Sequence, residues 1–104
     1  MNPNSEYIDK LSGSDGEFRA RLIELLKQEW PLEVDEYRIQ VKEQNWEKAG
    51  AAVHKLKHKI SIFGLEDGYQ VARELEYQYK ENQDTPREAF DLVVEVITQY
   101  LDKL

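Results

Sequence analysis

Apolar residues recur at three- and four-residue intervals along almost the whole chain, and this spacing is what most restricts its fold. Such a period places apolar side chains along one side of an α-helix, and no alternating strand pattern competes with it. The two C-terminal stripes are Leu65, Gly68, Tyr69, Ala72, Leu75 and Tyr79, and then Phe90, Val93, Val94, Ile97, Leu101 and Leu104. The sequence therefore predicts an all-α protein.

Capping residues divide this pattern into one short and four long helices. Ser14 with Glu17 three residues later forms a capping-box pattern, and Thr85 and Glu88 repeat it with Pro86 at the first helical position. The predicted N-caps are Asn4 or Ser5, Ser14, Asn45 and Thr85.

The long second helix contains a proline within its apolar stripe. We expect Pro31 to kink this helix without dividing it, because the stripe stays in phase on both sides of the proline. The predicted stripe is Phe18, Leu22, Leu25, Leu26, Trp30, Val34, Tyr37 and Val41. The third helix should end at Gly64 in a left-handed C-cap.

Short connections between four long helices favour antiparallel neighbours. The predicted architecture is an up-down-up-down four-helix bundle, with the short first helix covering one end. The length of 104 residues suits one domain, spanning 1–104.

Charge and composition limit the partners to be considered. The net charge of −7 disfavours binding to nucleic acid or an anionic membrane. Segment 48–59 nevertheless holds four lysines and no acid, so the rest of the chain carries −7 less those four positive charges, or −11. With no cysteine, no signal-peptide pattern and no apolar run of about 20 residues, we expect a soluble cytoplasmic protein. The basic segment suggests a small anionic target.

One histidine lies within this basic segment and should face water. On a helix that advances by about 100° per residue, His54 falls opposite the apolar residues of its own helix. The same open face carries Gly50, Ala51, Lys57, His58 and Ser61, with Lys55 and Ile62 toward one flank.

A carboxylate on the next helix departs from the expected polarity. Glu76 falls within the buried stripe of the fourth helix, and folding back at Gly64 brings it level with His54. It can therefore accept a hydrogen bond from one imidazole nitrogen and leave the other as a nucleophile. The alternative is that Glu76 extends to solvent beside a lysine.

The segment His54-Lys55-Leu56-Lys57, followed by Gly64, resembles the signature of the histidine-phosphotransfer (HPt) domain family, His-x-Leu-Lys-Gly, five residues, then Gly. The order of helices also resembles that family. The resemblance implies a cytoplasmic phosphorelay carrier without kinase activity, in which His54 takes a phosphoryl group from one receiver-domain aspartate and passes it to another.

The resemblance also implies roles for neighbouring residues and partners. Lys57 and Lys55 would neutralise the transferring phosphoryl oxygens, Glu76 would orient His54, and Gly50, Ala51, His58, Ser61 and Ile62 would contact the partner. We expect a monomer with no cofactor of its own. Its partners would be receiver domains, including one within a hybrid sensor kinase, and the receiver would supply Mg²⁺.

The sequence departs from the family pattern at His58, where the signature has glycine. His58 can narrow access to His54, add charge or act as a second acceptor, or it can be a tolerated surface residue. Two other functions stay open. One is a helical adaptor that binds an acidic partner without phosphorylation. The other is a metal site at His54 and His58, which the nearby lysines disfavour.

Overall fold

The computed structural model describes residues 2–104, which form five α-helices and no strand. This confirms the all-α prediction. No helix in this range combines the length and apolarity that a membrane span requires. The helices are α1 (Glu6–Ser12), α2 (Gly16–Lys42), α3 (Trp46–Ile62), α4 (Glu66–Lys80) and α5 (Arg87–Lys103).

Side-chain hydrogen bonds between α2 and α5 show that these helices run in opposite directions. Trp30 Nε1 donates to Thr98 Oγ1 at 2.9 Å, and the Tyr37 hydroxyl donates to Asp91 Oδ1 at 2.8 Å. A seven-residue advance along α2 therefore corresponds to a seven-residue retreat along α5. Helix α3 packs between α2 and α4, which completes the predicted antiparallel bundle.

The short helix α1 covers the turn between α3 and α4. Ile8 is fully buried, and the Asn4 backbone N–H donates to the carbonyl oxygen of Phe63 at 2.9 Å. Gly64 occupies this turn with φ +73°, as the predicted left-handed C-cap requires. A Cβ at Gly64 would lie only 2.6 Å from Asn4 Nδ2, so any other residue here would also have to displace the Asn4 side chain, whose Oδ1 accepts the Glu6 N–H.

The buried stripe of α2 differs from the predicted one. Phe18 and Leu25 are exposed, and the side facing the core instead carries Ile23 and Leu26 in line with Trp30. The reason is geometric, because Leu25 lies about 140° around the helix from Trp30 whereas Ile23 lies about 20° away. The outer face of α2 thus carries its own apolar line, spaced every seven residues: Phe18, Leu25, Leu32 and Ile39.

Two of the predicted N-caps are wrong. The cap of α2 is Asp15 rather than Ser14, because the Asp15 carboxylate accepts a hydrogen bond from the Phe18 N–H at 3.0 Å. Helix α5 begins at Arg87 after Pro86, whose carbonyl accepts the Phe90 N–H, so Thr85 is not its cap. Neither capping box forms, since Glu17 and Glu88 each lie one position too early.

The remaining boundaries follow the prediction. Asn45 Oδ1 caps α3 by accepting the Lys48 N–H at 3.1 Å. At α1, Asn4 Oδ1 accepts the Glu6 N–H, while the Ser5 side chain makes no capping bond. Helix α2 is continuous through Pro31, as expected.

Candidate phosphoacceptor site

His54 lies on the solvent-facing side of α3, opposite the side that forms the core. Its neighbour Val53 and the next-turn residue Leu56 are fully buried, whereas the His54 side chain is 50% exposed. The apolar residues of α3 thus fix the rotation of the helix, and this rotation presents the imidazole to water.

Glu76 of α4 holds the inner nitrogen of this imidazole. His54 Nδ1 lies 2.7 Å from Glu76 Oε1, and the Glu76 side chain is only 14% exposed. An ionised carboxylate can only accept hydrogen bonds, so Nδ1 carries the hydrogen. In the neutral ring, Nε2 is therefore left with a free lone pair on the outer side of the imidazole.

Lys57 binds the second oxygen of the same carboxylate. Its Nζ donates to Glu76 Oε2 at 2.8 Å, and its side chain is 12% exposed. Burial raises the pKa of Glu76, but the hydrogen bonds from Lys57 and His54 outweigh this effect and hold its pKa below the ordinary value. Sequence analysis expected Lys57 beside the phosphoryl group, whereas in the structure its ammonium lies on Glu76.

The ring of Tyr69 contacts the ammonium of Lys57, and sequence analysis did not identify Tyr69 as a site residue. The Lys57 Nζ lies 5.7 Å from the centre of the Tyr69 ring, within the range of a cation–π contact. The only sequence signal was the position of Tyr69 in the buried stripe of α4, which does not distinguish a core residue from a lysine support.

His58 contacts the outer nitrogen of His54. The two Nε2 atoms lie 3.1 Å apart, and the rings meet edge to face with their centres 4.6 Å apart. When His54 is neutral, with its hydrogen on Nδ1 facing Glu76, the hydrogen between the two Nε2 atoms belongs to His58. The residue that departs from the family signature thus touches the nitrogen that sequence analysis predicts to be the nucleophile.

The predicted partner-contacting residues are divided between two grooves on either side of His54. Gly50, Ala51 and Lys55 line a groove of about 730 Å³, whose wall includes Trp46 stacked on Tyr79 with ring centres 5.4 Å apart. The other groove, of about 530 Å³, is lined by His58, Ser61 and Ile62 together with Tyr7, Glu66 and Tyr69. Sequence analysis did not identify the Trp46–Tyr79 wall.

The basic segment carries less unpaired charge than its sequence suggests. Lys57 is paired with Glu76, and Lys59 lies 2.6 Å from Glu33 and 3.4 Å from Glu29 on α2. Lys55, in contrast, is exposed and has no carboxylate within 4.0 Å among residues 2–104. Residues 2–104 contain no cluster of three His, Cys, Asp or Glu side chains arranged to bind a metal ion.

Comparison with protein-family models matches residues 21–104 to the Hpt domain. The chain belongs to the Hpt domain family. Membership places it among the phosphotransfer domains of two-component phosphorelays, which interact with receiver domains of response regulators. The match contains His54, Lys57, His58 and Glu76, whereas α1 precedes it. Neither the curated proteins nor the solved structures give a match to this Hpt domain.

Proposed function

We propose that His54 is the phosphoacceptor of this Hpt domain, taking a phosphoryl group from the aspartyl phosphate of one receiver domain and passing it to the aspartate of another. The observation that supports this most directly is the 2.7 Å contact between His54 Nδ1 and Glu76. It leaves Nε2 without a hydrogen on the outer side of the ring, which a partner can reach once His58 moves aside.

The transfer balances without a proton acceptor on this chain. As the bond between Nε2 and phosphorus forms, the bond between phosphorus and the aspartate oxygen breaks, and the aspartate leaves as a carboxylate. The hydrogen on Nδ1 stays in place, so the phosphorylated ring is cationic. The carboxylate of Glu76 stabilises this developing charge through its existing hydrogen bond.

Lys57 and Lys55 contribute positive charge in different ways. Lys57 keeps Glu76 ionised and correctly oriented, so it acts on His54 through that carboxylate. Lys55 follows His54 directly, is exposed and lines the larger groove, so its ammonium is available to the phosphoryl oxygens and to an acidic receiver surface.

The receiver supplies the remaining chemistry. Phosphoryl transfer depends mainly on positioning and on neutralisation of charge, and in this proposal the aspartate and Mg²⁺ come from the receiver. All the residues assigned to the histidine side lie within one copy of this chain, and no cofactor is assigned to it. The proposed partners include a receiver attached to a hybrid sensor kinase.

The direct test is phosphoryl transfer from a phosphorylated receiver to the purified protein. The protein should gain phosphate that is labile in acid and stable in base, and His54→Gln should abolish this gain while leaving helicity and thermal unfolding unchanged. His58→Gln provides the matched histidine control and should still become labelled. Label that persists in His54→Gln would show that another residue is the acceptor.

A further inference from the structure

His58 is the residue of this site whose contact is not explained by the family signature. Its Nε2 lies 3.1 Å from His54 Nε2, the atom that bonds to phosphorus in the proposed function. Since that nitrogen of His54 is an acceptor, the resting contact uses the lone pair that must attack the phosphoryl group. His58 therefore has to move before transfer takes place.

The surroundings of His58 give its ring room to move. The side chain is exposed near the end of α3, and its groove is bordered by Tyr7 of α1, by Glu66 and Tyr69 of α4, and by Ser61 and Ile62 of its own helix. Its contact with His54 is the only hydrogen bond that its side chain makes within residues 2–104. A rotation about its side-chain bonds thus breaks no other polar contact.

We propose that His58 is a second imidazole of the phosphoacceptor site, which donates its Nε2–H to the lone pair of His54 before transfer and to a phosphoryl oxygen afterwards. This inference rests on the proposed role of His54. The hydrogen stays on His58 throughout, while the bond from phosphorus to the aspartate oxygen is replaced by the bond from phosphorus to His54 Nε2.

This exchange of acceptors affects the lifetime of the phosphorylated state. The phosphoryl group takes the place of the lone pair, and the displaced His58 N–H can then donate to one of its oxygens, which are charged acceptors. A hydrogen bond to a charged group at an exposed site should slow loss of the phosphoryl group about fivefold. His58 thus makes the domain a longer-lived store of the phosphoryl group than one with glycine at this position.

Two matched variants separate hydrogen bonding from ring shape. His58→Gln keeps an N–H donor on a flexible side chain, whereas His58→Phe keeps a flat ring without a donor. Each protein is labelled by a phosphorylated receiver and separated from it, and the decay of its phosphohistidine is followed without Mg²⁺. We expect decay about fivefold faster for His58→Phe than for the native protein, with His58→Gln restoring most of the difference.

A spectroscopic measurement on the unphosphorylated protein tests the resting contact by itself. In the nitrogen NMR spectrum, the Nε2 resonance of His54 should move toward the position of an unbonded ring nitrogen in His58→Phe and stay near the native position in His58→Gln. Equal decay in all three proteins would overturn the proposal while leaving His54 as the acceptor. A native protein that accepts no label would instead contradict the function of His54, and the resonance of Nε2 would still report on His58.

Discussion

Two lysine–carboxylate clusters lie on opposite sides of α3, and only the one toward α4 also contacts an exposed histidine. Toward α4, Lys57 is paired with Glu76; toward α2, Lys59 is paired with Glu29 and Glu33. The two lysines are almost equally buried, at 12% and 14% exposure. Burial of a lysine between helices is thus a common structural device in this bundle.

The two clusters differ in whether the carboxylate also binds a second side chain. Glu76 uses one oxygen for Lys57 and the other for the exposed His54. Glu33 Oε2 lies 2.6 Å from Lys59 but outside hydrogen-bond alignment, so that contact is an ion pair alone. An ion pair between helices gains a chemical role here only where it also orients an exposed imidazole.

The largest difference between the clusters should appear when the carboxylates are removed. Glu76→Ala should lower the rate of phosphoryl transfer from a receiver about tenfold, because His54 loses the bond that fixes its tautomer and stabilises its charge. Glu33→Ala, the matched change toward α2, should leave that rate unchanged. Glu76→Gln keeps an acceptor for Nδ1–H and should lie between them. Equal rates for the two alanine variants would remove Glu76 from the site.

Removal of the two lysines should separate stability from transfer. Lys57→Ala removes one of the two partners of Glu76, and Lys59→Ala removes the shared partner of Glu29 and Glu33. Each should therefore lower the free energy of unfolding by about 1–3 kcal/mol in chemical denaturation. Only Lys57→Ala should also slow transfer, by about threefold to fivefold, since it acts through Glu76. A similar slowing by Lys59→Ala would mean that the clusters are not distinct in function.

The smallest effect concerns the dependence of stability on pH. The folded-state pKa of Glu76 lies below its ordinary value of 4.5, so its ionised form stabilises the fold above that pH. This contribution should be lost as the pH falls from about 4.5 through the lower folded-state pKa. The difference in free energy of unfolding between native protein and Glu76→Gln should therefore change as the pH falls through this acid range. A difference that does not change with acidification would contradict the lowered pKa.

The helices and the contact between His54 and Glu76 could be predicted from the sequence, because both follow from local features of the chain. The spacing of apolar residues in α3 and α4 fixes which side of each of these helices faces the core, and the turn at Gly64 fixes which of their residues lie side by side. Both quantities depend on residues close together in the chain.

The misplaced features depend on choices that local patterns leave open. Ser14 and Asp15 are both good caps, and only the hydrogen bond to Phe18 distinguishes them. The partners of Lys57 and Lys59 lie on different helices, so a run of alternating lysines does not reveal that two of them turn inward in opposite directions. The contact between His54 and His58 likewise requires the orientation of both rings.

The two apolar lines of α2 bear on how the bundle selects a single packing. By hydrophobicity alone, this helix could bury either its inner line or the outer line from Phe18 to Ile39. The inner line also carries the indole N–H of Trp30 and the hydroxyl of Tyr37, which find acceptors on α5. Burial raises the pKa of Tyr37, so its hydroxyl remains a donor. These two polar contacts form only when the inner line faces α5, so they favour the observed rotation of α2 over burial of the outer line.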